Sequence, residues 1–88
     1  MPPYLSVVPT AEFLATFTAL SHADQRRVLR ALAFLDENER HPSLRVHQLK
    51  GDLAGVWSAS ASSSLRLTFE RLPDGRKLLI AASHHYGD

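Results

Sequence analysis

The sequence contains no cysteine, which removes a disulfide framework and thiolate metal ligands together. It also lacks a long apolar run, and no stretch approaches the roughly 18 to 20 residues needed to cross a bilayer. Its opening, Met1-Pro2-Pro3-Tyr4, has neither the basic flank nor the apolar centre of a secretory signal. The expectation is a cytoplasmic protein with no membrane partner. Ligand spacing for a metal is missing too. There is no His-x-x-His or carboxylate-bracketed pair, and His84 and His85, adjacent in a strand, would point to opposite faces. No metal and no small-molecule cofactor is expected.

What remains is one domain over residues 1–88. A chain this short buries a modest share of its surface, so its margin of stability is thin. The 44% hydrophobic content suffices for one core, and 22% charged residues is ordinary. Net charge is +1, but it is unevenly spread. Residues 1–39 carry three basic and five acidic side chains, and residues 40–88 carry seven basic, four acidic and four of the five histidines. The second half is the side suited to phosphate.

Leu5-Ser6-Val7-Val8, closed by Pro9, reads as a strand. Thr10 can cap a helix whose Phe13, Leu14, Phe17 and Leu20 recur at helical spacing. Ser21 can cap a second, with Asp24 in its positive first turn. There Val28, Leu29, Leu32 and Leu35 make an apolar stripe, with Arg26, Arg27 and Arg30 mostly off it. These two should form a helical hairpin, stopped by the acidic stretch 36–39 and then Pro42. Strand patterns follow at Val56–Ala61, Leu65–Arg71 and Lys77–Ser83, and Leu72-Pro73-Asp74-Gly75 is a turn. Helices followed by strands predict an α+β fold, with both helices on one face of an antiparallel sheet of three to four strands.

Pairing Arg71 with Arg76 across that turn sets Leu65, Leu67 and Phe69 opposite Leu78, Ile80 and Ala82 as the core face. The other face then carries Arg66, Thr68 and Glu70. A strand continued past Ser83 adds His85 to the Arg66 face and leaves His84 on the core side. Arginine beside histidine on an open surface suits RNA cleavage by the neighbouring 2′-hydroxyl. That reaction needs a base, an acid and a cation beside the phosphorane. Histidine titrates near neutrality, and the arginine fork grips phosphate oxygens in two places. The same pattern also arises from ordinary surface residues.

Leu53-Ala54-Gly55-Val56-Trp57-Ser58, Leu65-Arg66-Leu67-Thr68-Phe69, and Leu78–Ser83 followed by a His-Tyr pair together resemble the RelE/ParE toxin superfamily. The likeness is closest to the YoeB-like and YafQ-like mRNA interferases. His47-Gln48-Leu49-Lys50-Gly51 matches an H-x-L-x-G element of the same group. The resemblance spans roughly residues 44–86, and the order strand, helical hairpin, sheet agrees elsewhere. It implies the toxin of a type II toxin–antitoxin pair, an endoribonuclease that cuts mRNA on the ribosome and is silenced by a cognate antitoxin protein. By position, Arg66 would stabilise the scissile phosphate and His85, paired with Tyr86, would be the acid. His84 takes that place if the register differs by one. His47 falls at the general base, and Lys50 and Arg45 are RNA-binding candidates.

Each assignment has a plainer counterpart. His47 is equally a loop histidine satisfied by backbone, and Lys50-Gly51 is turn chemistry. Trp57 shares the Arg66 face if the Ala61–Leu65 loop has two residues, and meets the core with Ala59 and Ala61 if it has three. The second is preferred because the first buries Ser58 and Ser60. His22 and His41 read as surface residues. One departure weakens the resemblance: the hairpin strand that usually carries basic residues is here Ser58-Ala59-Ser60-Ala61-Ser62-Ser63-Ser64. The competing functions are a ParE-like gyrase inhibitor without catalysis and a catalytically silent antitoxin-binding module.

Overall fold

The computed structural model describes residues 6–51 and 55–84. Its elements are β1 (Val7–Pro9), α1 (Ala11–Thr18), α2 (His22–Glu37), a 3-10 turn (Pro42–Leu44), β2 (His47–Gln48), β3 (Val56–Ser60), β4 (Leu65–Arg71) and β5 (Lys77–His84). The strands form one mixed sheet in the order β1-β5-β4-β3-β2. Neighbours are antiparallel except β1, which runs parallel to β5.

The helix starts lie where the capping residues place them. Thr10 Oγ1 accepts from the Phe13 amide at 3.0 Å and donates to the Leu79 carbonyl at 2.8 Å, so one hydroxyl caps α1 and ties it to β5. Ser21 Oγ accepts from the Asp24 amide, and Asp24 sits in the positive first turn of α2. Beyond Pro9 the edge of β5 would be bare. Thr16 of α1 covers it, accepting the Ala82 amide at 3.0 Å.

Both helices pack on one face of the sheet. Phe13, Val28, Ala31, Leu32 and Leu35 meet Ala59, Leu65, Leu67, Phe69, Leu79 and Ala82, all buried. Leu44 of the 3-10 turn is fully buried with them. Trp57 pairs with Phe69 and packs on this core. The Ala61–Leu65 hairpin is therefore of the longer kind, closed by the Ala61 amide on the Leu65 carbonyl.

The architecture is the expected α+β one, with three differences. The sheet is larger, because β2 extends one edge and β1 joins the other in parallel through Pro9, not stopping before it. Arg71 pairs with Lys77, not Arg76, because the hairpin closes one residue wider on the Leu72–Arg76 bond. Gly75 takes the positive φ of 91° that this turn requires. That slip puts Lys77 and Leu79, not Leu78 and Ile80, on the helix side. A bulge at Ile80 between the Phe69–Leu79 and Thr68–Ala81 pairs then restores Ala82 to the core.

Burying Lys77 needs a counter-charge. Glu39, just past α2, lies 3.5 Å from its Nζ and is also gripped by both Arg71 terminal nitrogens. Arg71 in turn lies over the Trp57 ring, 4.3 Å from its centroid. The helix exit, the β4–β5 hairpin and β3 are thereby clamped together.

Candidate functional site: the helix-free sheet face and its basic cleft

Residues opposite one another in antiparallel strands share a face. His47 pairs with Ser58, Ser58 with Thr68, and Thr68 with Ala81. One step along, Ser60 pairs with Arg66 and Arg66 with Ser83. Two-residue alternation puts both rows on the same face, the one without helices. His47 and Arg66 thus project from a common surface, two strands and one pleat repeat apart. Ordinary strand spacings set their Cα atoms roughly 12 Å from each other. The floor between them is small and polar: Ser58, 4% exposed, with Ser60 and Thr68 beside it.

The His47 ring has a defined orientation. Its Nδ1 lies 2.9 Å from the Arg45 carbonyl oxygen, which can only accept, so Nδ1 carries the proton. Among the described residues its Nε2 has no hydrogen-bond partner. Arg45, which provides that carbonyl, has a left-handed backbone (φ 47°, ψ 47°) at the end of the 3-10 turn. Only glycine adopts this conformation freely.

Arg66 leans toward the hairpin tip, its Nη1 donating to the Ser62 carbonyl at 2.9 Å. Among the described residues its other guanidinium N–H groups have no partner. It does not touch His47. Instead it forms part of the rim of a cleft of about 740 Å³ between α2, the 3-10 turn and the serine hairpin. Arg30, Phe34, His41 and Arg45 line one side, and Ser60 to Ser63 line the other. Among the described residues no carboxylate lines this cleft, and Arg30 and Arg45 are in no ion pair.

His41, read from sequence as a surface residue, is half-buried and stacked on Phe34, with centroids 3.9 Å apart and planes 12° apart. Its Nδ1 accepts from the Ser43 amide and caps the 3-10 turn. Neither His41 nor Arg30 was legible as a site residue. The one available signal was the Arg30/Phe34 spacing of four on α2, which places both on one helix face.

His84 lies on the helix side, as alternation predicts. Its Nε2 is 3.1 Å from Asp24 Oδ2 and its Nδ1 3.4 Å from Ser64 Oγ. The Asp24 carboxyl is held below the usual carboxylate range, first by its hydrogen bond from Arg27 and further by His84. His84 is therefore engaged away from the Arg66 face. Lys50 is exposed beyond β2. His85 and Tyr86 lie outside the described residues. Among those described, no group of histidines and carboxylates is arranged to hold a metal ion, and no helix is long and apolar enough to cross a membrane.

No protein-family model and no curated protein matches the chain. Solved structures do. The YoeB/ParE toxin from Agrobacterium tumefaciens is 24% identical over 93% of this chain and 100% of that one, with a TM-score of 0.69. The RelBE2 toxin–antitoxin complex from Mycobacterium tuberculosis contains a chain 22% identical over 96% of this chain and 100% of its own, at 0.63. YafQ from E. coli superposes at 0.73 over 89% of this chain and 90% of its own, with 13% identity. The chain has the fold of the RelE/ParE toxins, in its YoeB and YafQ form.

Proposed function

We propose that this chain, built on the fold of the RelE/ParE toxins, is the toxin of a type II toxin–antitoxin pair and an endoribonuclease that cuts mRNA on the ribosome. The observation that carries this is His47 and Arg66 sharing the helix-free face, with the His47 proton fixed on Nδ1 by the Arg45 carbonyl. His47 Nε2 takes the proton of a 2′-hydroxyl, and that oxygen attacks the adjacent phosphorus. Arg66 neutralises the phosphorane as the bond to the 5′-oxygen breaks. The leaving oxygen needs a proton, and His85, with Tyr86, is the proposed donor, as the resemblance to the toxin family implies. Its products are a 2′,3′-cyclic phosphate and a free 5′-hydroxyl. Lys50 and Arg45 hold flanking phosphates. The partners are the ribosome, its mRNA and a cognate antitoxin protein in the cytoplasm, the last in keeping with the toxin–antitoxin complex among the similar structures.

The test is cell-free translation with primer extension on the message. Ribosome-dependent cuts that vanish in a folded Arg66→Ala protein are the expected result. Full-length message at toxin excess overturns the nuclease reading. Blocked gyrase supercoiling under the same conditions favours a non-catalytic gyrase inhibitor, and neither effect favours a silent antitoxin-binding module.

A further inference from the structure

The geometry points to a second nucleotide subsite in the cleft beside Arg66, where a base flanking the scissile bond stacks on His41 and its phosphates meet Arg30 and Arg45. This rests on the nuclease reading only for which nucleotide enters. The cleft itself is defined by its own residues.

Three observations meet there. The first is charge. Among the described residues Arg30 and Arg45 line the cleft with no ion pair, Arg66 sits at its rim, and no carboxylate lines it. A concavity with cations on several sides concentrates phosphate. The second is a rigid aromatic ledge. His41 is held edge-on by the Ser43 amide and hydroxyl and face-on by Phe34, so a base stacking there loses little to ordering the ring. Arg30 lies one helical turn before Phe34 on the same face, which sets a guanidinium beside the ledge.

The third is backbone strain at Arg45. A left-handed backbone is disfavoured for any residue with a Cβ, and glycine would avoid that cost. Arginine there puts a charged side chain into the cleft that glycine cannot supply. The serine hairpin then has a different meaning from a strand stripped of its cations. Ser60 to Ser63 form the uncharged wall facing this ledge, with room for a base and hydroxyls to pair with it. Arg30 and Arg45 stand on the opposite wall, with Arg66 at the rim. Single-stranded RNA fits this combination of planar ledge and separated arginines.

The test uses a short single-stranded 2′-O-methyl RNA, which cannot be cleaved, with 2-aminopurine placed at successive positions. Quenching at one position is expected with the wild-type chain. His41→Asn keeps a cap acceptor for the 3-10 turn but removes the ring. It should abolish the quenching and weaken binding about tenfold. Arg30→Gln and Arg45→Gly should each lower the slope of log K against log salt by about 0.7. Arg45→Gly should also melt at the same temperature as wild type or higher, which separates a ligand role from a structural one.

Wild-type quenching, affinity and salt slope in all three folded variants overturn the subsite. Competition by polyglutamate that is lost in the same variants, without base quenching, overturns it in favour of an acidic protein segment. If the oligonucleotide effects hold while translation assays show no cleavage, the nuclease reading fails and the subsite stands. Cleavage with no effect of the three variants removes the subsite alone.

Discussion

The imidazole of His47 donates its Nδ1 proton to the carbonyl oxygen of Arg45, 2.9 Å away. An exposed ring held this way is committed to one tautomer, and Nε2 is its only basic atom. Replacing it should damage chemistry and spare the fold. His47→Ala is expected to slow message cleavage by about 100-fold or more, the usual range for a positioned base. Thermal denaturation should place its stability within about 0.5 kcal/mol of wild type, because the ring is exposed and its bond is local. Unaltered cleavage by a folded His47→Ala protein would remove this residue from the mechanism.

Arg66 offers a sharper distinction, because charge and shape can be separated there. Its Nη1 is occupied by the Ser62 carbonyl, so phosphate must be met by the rest of the fork. Lysine keeps the charge but lacks the planar fork that can hold the carbonyl and grip a phosphate in two places. Arg66→Lys should therefore retain RNA binding near wild-type level while single-turnover cleavage falls about 10- to 100-fold. Arg66→Ala should lose about 100- to 1,000-fold, the range seen when one charge-stabilising donor is removed. Equal rates for the lysine variant and wild type would show that only a point charge is needed.

The fold was legible where local chemistry decides it. Thr10 and Ser21 cap the two helices that their sequence positions foretell, and Gly75 turns the last hairpin. The β4–β5 register was not, because Leu72-Pro73-Asp74-Gly75-Arg76 accommodates two closures and the choice falls to a distant partner. Lys77 is turned inward by Glu39, which nothing in the strand pattern records. β2 is two residues long and shows no alternation of its own. His47 could thus be placed on the Arg66 face only through the pairing with Ser58. The ledge of His41 on Phe34 depends on the 3-10 turn folding back against α2, which is tertiary information.

Glu39 makes stability depend on pH in a definite direction. The Arg71 hydrogen bond holds its carboxyl below the ordinary range, and Lys77 adds to this. A carboxyl depressed on folding contributes stability that is complete above its unfolded value, near 4.5, and is lost as pH falls through the lower folded value. Glu39→Gln should cost about 1 kcal/mol at neutral pH, a partly exposed pair being worth less than a buried one. The melting-temperature gap between wild type and Glu39→Gln should close as the pH drops well below the unfolded value. A gap that is constant across that range would mean the carboxyl acts through packing alone.

Ser60 tests whether the missing cations of the hairpin strand limit RNA affinity. It pairs with Arg66 on the helix-free face and is partly exposed, whereas its neighbour Ser58, at 4% exposure, has no room for a longer side chain. Ser60→Lys adds one positive charge where a phosphate would pass between His47 and Arg66. Each added phosphate contact on a single strand should steepen the salt dependence of binding by about 0.7. Affinity for a non-cleavable single-stranded RNA should rise several-fold at low salt and converge with wild type at high salt. The steeper slope matters more than the gain itself, because a lysine acting only through overall charge would not add a full phosphate contact. Weaker binding would mean that repulsion from Arg66 outweighs the contact, and that the serine wall is needed as it stands.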